Sequence, residues 1–287
     1  MTISVSKLSF EASTPNNPLP ALISTGALLL LLALELADRV TMKRDLEIAR
    51  EIQHWLVPQS PPEVPGVEIA FMSRPANTVG GDYYDAFMRA SPNPSPNSKR
   101  LLLADVAGKS VPAALLMATF QASLRSQAQA PVSLIPLVKS LNQYACAHSL
   151  GRRPFTTEFL GELDSESRVL GYVRAGHNAP FIRRASGRFE RLETGDLPLG
   201  INPDTDFTCG TATMAPGDLL VMFTDGLIEA VNEADQEFGE SHLLELLKSR
   251  NAANAQVTLK ILISAVDAFA DHTRQHDDIT FVLLRTC

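Results

Sequence analysis

Asp82 and Asp85 stand three apart in "NTVGGDYYDAF", directly after the glycine pair Gly80 and Gly81. Three more stretches repeat the theme. "LLLADVAGKS" ends an apolar run on Asp105, "LLVMFTDGLIEA" ends another on Asp225, and "HTRQHDDITFVLL" sets Asp277 and Asp278 just before a third. Asp and Gly are normal turn residues, so one acid at a strand end carries no chemistry. Four, each on a strongly apolar strand, suggest a shared edge. Gathered carboxylates repel one another and raise each other's pKa. A cation removes that cost, and all-oxygen ligands favour hard ions such as Mg2+ or Mn2+. Two such ions about 3.5–4 Å apart can hold a bridging water, lower its pKa and attract a phosphate that bare acids would repel. Spacing alone leaves two readings open: a metal cluster, or solvated turns.

The elements that must position these acids are legible from Gly66 onward. "VEIAFMS", "DYYDAFM", "RLLLADV", "TTEFLGEL", "RVLGYVRA", "APFIRR", "DLLVMFT" and "ITFVLLR" read as strands. A polar loop, "RASPNPSPNSK", separates the second from the third. Helical patterns come in two blocks, "VPAALLMATFQASLRSQAQ" with "SLIPLVKSLNQYACAHS", then "SHLLELLKSR" with "AQVTLKILISAVDAFADHT". Runs of strands followed by runs of helices argue α+β rather than alternating βαβ. No internal repeat and no Gly-rich phosphate loop is present.

The bulk numbers fit one large domain or two smaller ones. Of 287 residues, 45% are hydrophobic and 20% charged, ordinary values for a chain that buries a full core. Net charge is -7 and no Lys/Arg-rich run occurs, which argues against nucleic acid as a partner. Three widely separated cysteines, Cys146, Cys209 and Cys287, form neither a disulfide framework nor a thiolate metal site and fit a reducing compartment.

Residues 1–18 are polar and Pro/Asn-rich, the pattern of a disordered N-terminal segment. Residues 19–57 read as a long linker helix, apolar first and amphipathic after Asp38, stopped by Pro58. Its run Leu19–Leu34 spans roughly 24 Å as a helix, short of the about 20 residues of a bilayer span. Packing or dimerisation through the leucines is the favoured reading, and a membrane anchor at residues 19–37 is the alternative. A signal peptide lacks both a basic start and a cleavage site. Residues 58–287 form the remaining domain.

"VGGDYYD", "ADVAGKSVPAALLMA", "RAGHNAP", "LPLGI", "GDLLVMFTDGLIEA" and "DDITFVLLR" resemble, in order and spacing, the bacterial PPM-type metal-dependent serine/threonine protein phosphatases of the SpoIIE/RsbU-like branch. "EIAREIQHWLVPQSPP" looks like the helix that precedes the domain in many members. The resemblance covers roughly residues 43–286. It implies a four-layer α-β-β-α sandwich of two antiparallel sheets flanked by helices. It implies two divalent cations, Mn2+ or Mg2+, held by Asp82, Asp105, Asp225, Asp277 and the backbone carbonyl of Val106, with Asp85, Asp278 and Gly81 secondary. Asp85 lies an odd number of strand steps from Asp82, so their side chains face opposite ways.

The implied reaction is hydrolysis of phosphoserine or phosphothreonine on a protein by a hydroxide bridging the two ions. In this branch the usual substrate is a phosphorylated anti-sigma-factor antagonist of STAS type, in a partner-switching pathway. Two further residues are weighed. His177 in "AGHN" is a phosphate donor, a general acid, or a histidine that orders a hairpin. Arg74 is a bidentate phosphate ligand or an ordinary turn arginine. Ser110 stands where many members carry Gly, which matters only if that residue needs a positive φ. Two other functions compete: a scaffold that keeps the fold but not the chemistry, and a hydrolase of small-molecule phosphates. The intact aspartate set argues against the first. A domain in the cytoplasm is expected, with the helix dimerising or docking on a partner and shifting the metal site between states.

Overall fold

The computed structural model describes residues 18–89, 100–107, 110–148, 156–249 and 254–287, with backbone alone for 100–107 and 110–112. The N-terminal segment before Pro18 and the "RASPNPSPNSK" loop after Arg89 therefore lie outside the described residues. The chain divides into two compact units, Met1–Leu46 and Glu47–Cys287.

One helix, α1 (Leu19–Leu56), begins in the first unit and ends in the second. In the first unit its leucines are exposed, Leu28, Leu29, Leu30, Leu31 and Leu32 among them. Five consecutive residues at 100° per step leave no side of a helix polar. The helix is long and apolar enough to cross a membrane by length and composition.

The second unit holds ten strands: β1 (Val67–Arg74), β2 (Tyr83–Arg89), β3 (Arg100–Ala107), β4 (Thr157–Asp164), β5 (Val169–Ala175), β6 (Phe181–Arg183), β7 (Phe189–Arg191), β8 (Gly210–Thr213), β9 (Leu219–Phe223) and β10 (Ile279–Thr286). With them are α2 (Ser110–Gln127), α3 (Leu134–Ala147), α4 (Asp225–Ile228), α5 (Gly239–Ser249) and α6 (Ala255–Ala270). All eight strands expected from sequence form. The short β7 and β8 and the single-turn α4 were not anticipated. Ser110 opens α2, so its backbone is helical and no glycine is needed there.

Two five-stranded antiparallel sheets result, ordered β1-β10-β9-β6-β7 and β2-β3-β4-β5-β8. Alternation along the strands explains the layering. In β10, Val282 and Leu284 point into the core between the sheets, where they meet Ile69, Tyr84, Phe159 and Met222. Their neighbours Phe281 and Leu283 point outward onto α5 and α6, through Leu243, Leu259 and Leu262. Across the sandwich, Leu160 and Val173 face outward onto Phe120, Leu124 and Leu137 of α2 and α3. Strands buried on both faces must be apolar at every step, which is why "DLLVMF" and "ITFVLL" read as continuous runs. The architecture is the four-layer α-β-β-α sandwich expected of the resemblance.

Candidate metal centre

The registers bring strand ends to one edge. Phe223 at the end of β9 pairs with Phe281 near the start of β10, and Arg74 at the end of β1 pairs with Ile279. Asp225 follows β9, and Asp277 and Asp278 precede β10, so all three arrive together. In the other sheet Tyr83 pairs with Val106 and Tyr84 with Asp105, which puts the end of β3 beside Asp82.

Two contacts join the sheets at this edge. Thr280 Oγ1 donates to Asp82 Oδ2 at 2.8 Å. Asp278 accepts from the backbone N–H groups of Gly81 at 2.6 Å and Ala76 at 2.7 Å. Burial pushes the Asp278 carboxyl above the usual range, while these backbone donors pull it down. Asp278 thus holds the turn that presents Asp82. The glycines have steric reasons. A Cβ on Gly226 would lie 2.2 Å from the Asp278 carbonyl oxygen, and one on Gly80 would lie 2.9 Å from Asp278 Oδ2.

Asp225, Glu229 and Asp277 each offer a carboxylate oxygen, and these atoms lie within 4.8 Å of one another. Glu229 was not anticipated from sequence. Once Asp225 opens a helical turn, Glu229 falls one turn later on the same face. Three carboxylates this close, all oxygen donors, with Asp277 buried, Asp225 half-buried and Glu229 exposed, form a set that suits a hard divalent ion. The chemistry of the donors therefore fits the metals that this fold implies.

Asp85 has a different environment. Wholly buried, it accepts both arms of Arg125 from α2, at 2.7 and 2.6 Å, and the Tyr83 hydroxyl. Arg125 also lies over the Phe87 ring at 4.0 Å. Asp85 ties α2 to β2 on the face away from Asp82's contact with β10.

A cavity of about 350 Å³ opens beside the acids and is lined by Arg74, Glu229, Asp277 and Arg274. Arg74 Nη1 donates to Asp267 Oδ1 at 2.5 Å there. His177 lies beside Thr157, whose backbone pairs with Ala107 at the end of β3. It is buried, 3.4 Å from Thr157 Oγ1, its carbonyl accepts from Arg174, and it lines a separate cavity with Arg174 and Arg191. These contacts are ones that a hairpin-ordering histidine makes. The helix α1 reaches the edge through Gln53, whose Oε1 accepts from Gly80 N at 3.1 Å while Nε2 donates to Gly80 O at 2.7 Å.

Residues 95–287 match the family model described as "Stage II sporulation protein E (SpoIIE)". Protein IcfG of Synechocystis is 28% identical over 88% of this chain and 43% of its own length. The phosphoserine phosphatase RsbU of Bacillus subtilis is 28% identical over 85% of this chain and 70% of its own length. The chain thus spans under half of the first of these relatives. Among solved structures, the SiaA-PP2C domain of Pseudomonas aeruginosa superposes with a TM-score of 0.74 at 19% identity, covering 88% of this chain and 99% of that domain. The fold is that of PPM-type (PP2C) phosphatase domains. The chain belongs to the SpoIIE family.

Proposed function

We propose that the protein removes phosphate from phosphoserine or phosphothreonine on a partner protein, the partner being a STAS-type antagonist in a bacterial partner-switching pathway. One observation carries this: Asp225, Glu229 and Asp277 converge beside an arginine-lined cavity at the edge where β9 ends and β10 begins. The likeness to an RsbU phosphoserine phosphatase supports it. So does the structural likeness to the RsbU and RsbW domains that share one Mycobacterium tuberculosis chain, at 26% identity and a TM-score of 0.64.

Asp82, Asp105, Asp225, Asp277 and the Val106 carbonyl would hold two divalent ions, Mn2+ or Mg2+, with Glu229 as an added donor. When bound, such ions activate water at neutral pH and neutralise phosphate charge. The chain's own groups do the rest. Arg74, on the cavity wall, can exchange Asp267 for a phosphate oxygen, with which a guanidinium pairs well. Asp278 and the two glycines hold the Asp82 turn. Water adds to phosphorus, the P–O bond to the serine breaks, and the serine oxygen takes up a proton.

Regulation is proposed to run through α1. Gln53 grips the residue two before Asp82, so docking or dimerisation of α1 would move a ligand-bearing turn. A second reading applies to the leucine-rich part of the same helix. Apolar side chains on every side suit lipid better than the narrow seam of a two-helix contact. Membrane fractionation of the full chain, with alkaline extraction, separates the two readings, and in either case the phosphatase domain works in the cytoplasm. The enzymatic reading is tested by phosphate release from a serine-phosphorylated STAS-type protein, compared with a small aryl phosphate. Faster turnover of the aryl phosphate would favour a small-molecule hydrolase.

A further inference from the structure

Thr280 is the second residue of β10 and is wholly buried. Its hydroxyl touches two groups, Asp82 Oδ2 at 2.8 Å and Ser73 Oγ at 3.0 Å. A hydroxyl has one proton to give. A carboxylate can only accept, so the proton of Thr280 goes to Asp82, and Ser73 must donate to Thr280. The hydrogen bonds run in one direction, from Ser73 through Thr280 to Asp82.

The backbone of the same residue reaches the other acids. Thr280 N donates to Thr224 Oγ1 at 3.0 Å, and Thr224 N donates back to Thr280 O at 3.2 Å. Thr224 Oγ1 in turn donates to the Asp278 carbonyl at 3.2 Å. Thr224, also wholly buried, is the residue directly before Asp225. One threonine therefore contacts Asp82 across the sandwich and fixes the strand end that carries Asp225.

We propose that Thr280 is a positioning residue for the metal site: its hydroxyl sets the plane of the Asp82 carboxylate, and Ser73 sets the direction of that hydroxyl. This rests on the reading that Asp82 is a metal ligand. A hydrogen bond to one carboxylate oxygen fixes the direction from which the group meets a cation. Losing such an orienting partner typically costs about 10–100-fold in metal affinity. The sequence alone hides this role, because a threonine in "DDITFVLL" reads as an ordinary strand residue.

The test is Mn2+ binding to the purified full chain by calorimetry, together with the Mn2+ dependence of kcat. Thr280→Val keeps the shape and removes the donor, and should weaken Mn2+ by about 10–100-fold. Its kcat should return toward the starting value at saturating Mn2+, which a general loss of packing would not allow. Thr280→Ser should stay within about 3-fold of the parent in Mn2+ affinity, because it keeps the hydroxyl. Ser73→Ala, which leaves Thr280 able to donate, should fall between them and covers the case of Thr280→Val failing to fold. Thr280→Val binding Mn2+ like the parent, while Asp82→Asn binds it poorly, would overturn the role of Thr280 and leave the ligand reading intact. Asp82→Asn binding Mn2+ like the parent would overturn the ligand reading itself.

Discussion

Gln53 and Gly80 are joined by two hydrogen bonds that close a ring: the side-chain amide both accepts from and donates to one residue's backbone. Gly80 sits two residues before Asp82, so the end of α1 bears directly on the turn that carries Asp82. Gln53→Ala removes both bonds. It should cost about 1–3 kcal/mol of stability. A small misplacement of reacting groups can cost about 100-fold in rate, so activity should fall further than stability alone would dictate. Gln53→Glu keeps only the acceptor and should lie between. Thermal melts and kcat on the same samples check this; unchanged kcat in Gln53→Ala would remove α1 from the mechanism.

The acids at the edge should rank by role. Asp225→Asn and Asp277→Asn should lower activity by more than about 100-fold, past the range typical of residues that only orient a ligand, and Glu229→Gln by about 10–100-fold. Removing one of several close carboxylates relieves repulsion, so the metal-free variants should melt no lower than the parent. Activity titrated with Mn2+ and melts in chelator check both halves.

Gly226 should not tolerate a side chain. A Cβ there would lie 2.2 Å from a backbone oxygen of Asp278, an atom with no rotamer to yield. Gly226→Ala should destabilise the domain by about 1–3 kcal/mol, and it should lose metal affinity as the Asp277–Asp278 segment shifts. Denaturant midpoints with and without Mn2+ measure both.

Glu158 should make stability depend on pH in an unusual direction. It is buried, neither carboxylate oxygen has a hydrogen-bond partner among the described residues, and burial pushes its pKa up to about 8 from an ordinary 4.5. The folded form therefore holds a proton that the unfolded form releases above pH 4.5. That stabilising term is full below about pH 4.5 and is lost as pH rises through about 8. Glu158→Gln has no charge to bury. Its stability advantage over the parent should grow by about 1.4 kcal/mol per pH unit between about 5 and 8. A constant difference across that range would show that Glu158 is ionised in the folded state.

Much of the fold was legible because sandwich strands buried on both faces must be apolar throughout, and because Gly-Asp pairs mark their ends. The acids Asp82, Asp225 and Asp277 stood out for the same reason. Glu229 stayed hidden because Asp225 read as the end of a strand, and only the helical turn of α4 brings the residue four later onto the same face. Thr280, Ser73 and Gln53 lie about 200 or 27 residues from the groups they hold. No local pattern encodes such a pairing, because it arises only when the two sheets stack. Asp85 shows the reverse: its sequence setting matches that of a ligand, yet Arg125 neutralises it within the fold.

The most direct measurement is phosphate release from a serine-phosphorylated STAS-type protein by the full chain, with Mn2+ added and then removed by chelator, beside Asp225→Asn. Turnover that requires Mn2+, stops with chelator and is absent in the folded Asp225→Asn protein is the expected result. Turnover that ignores the metal, or that survives in Asp225→Asn, would contradict a metal centre at this edge.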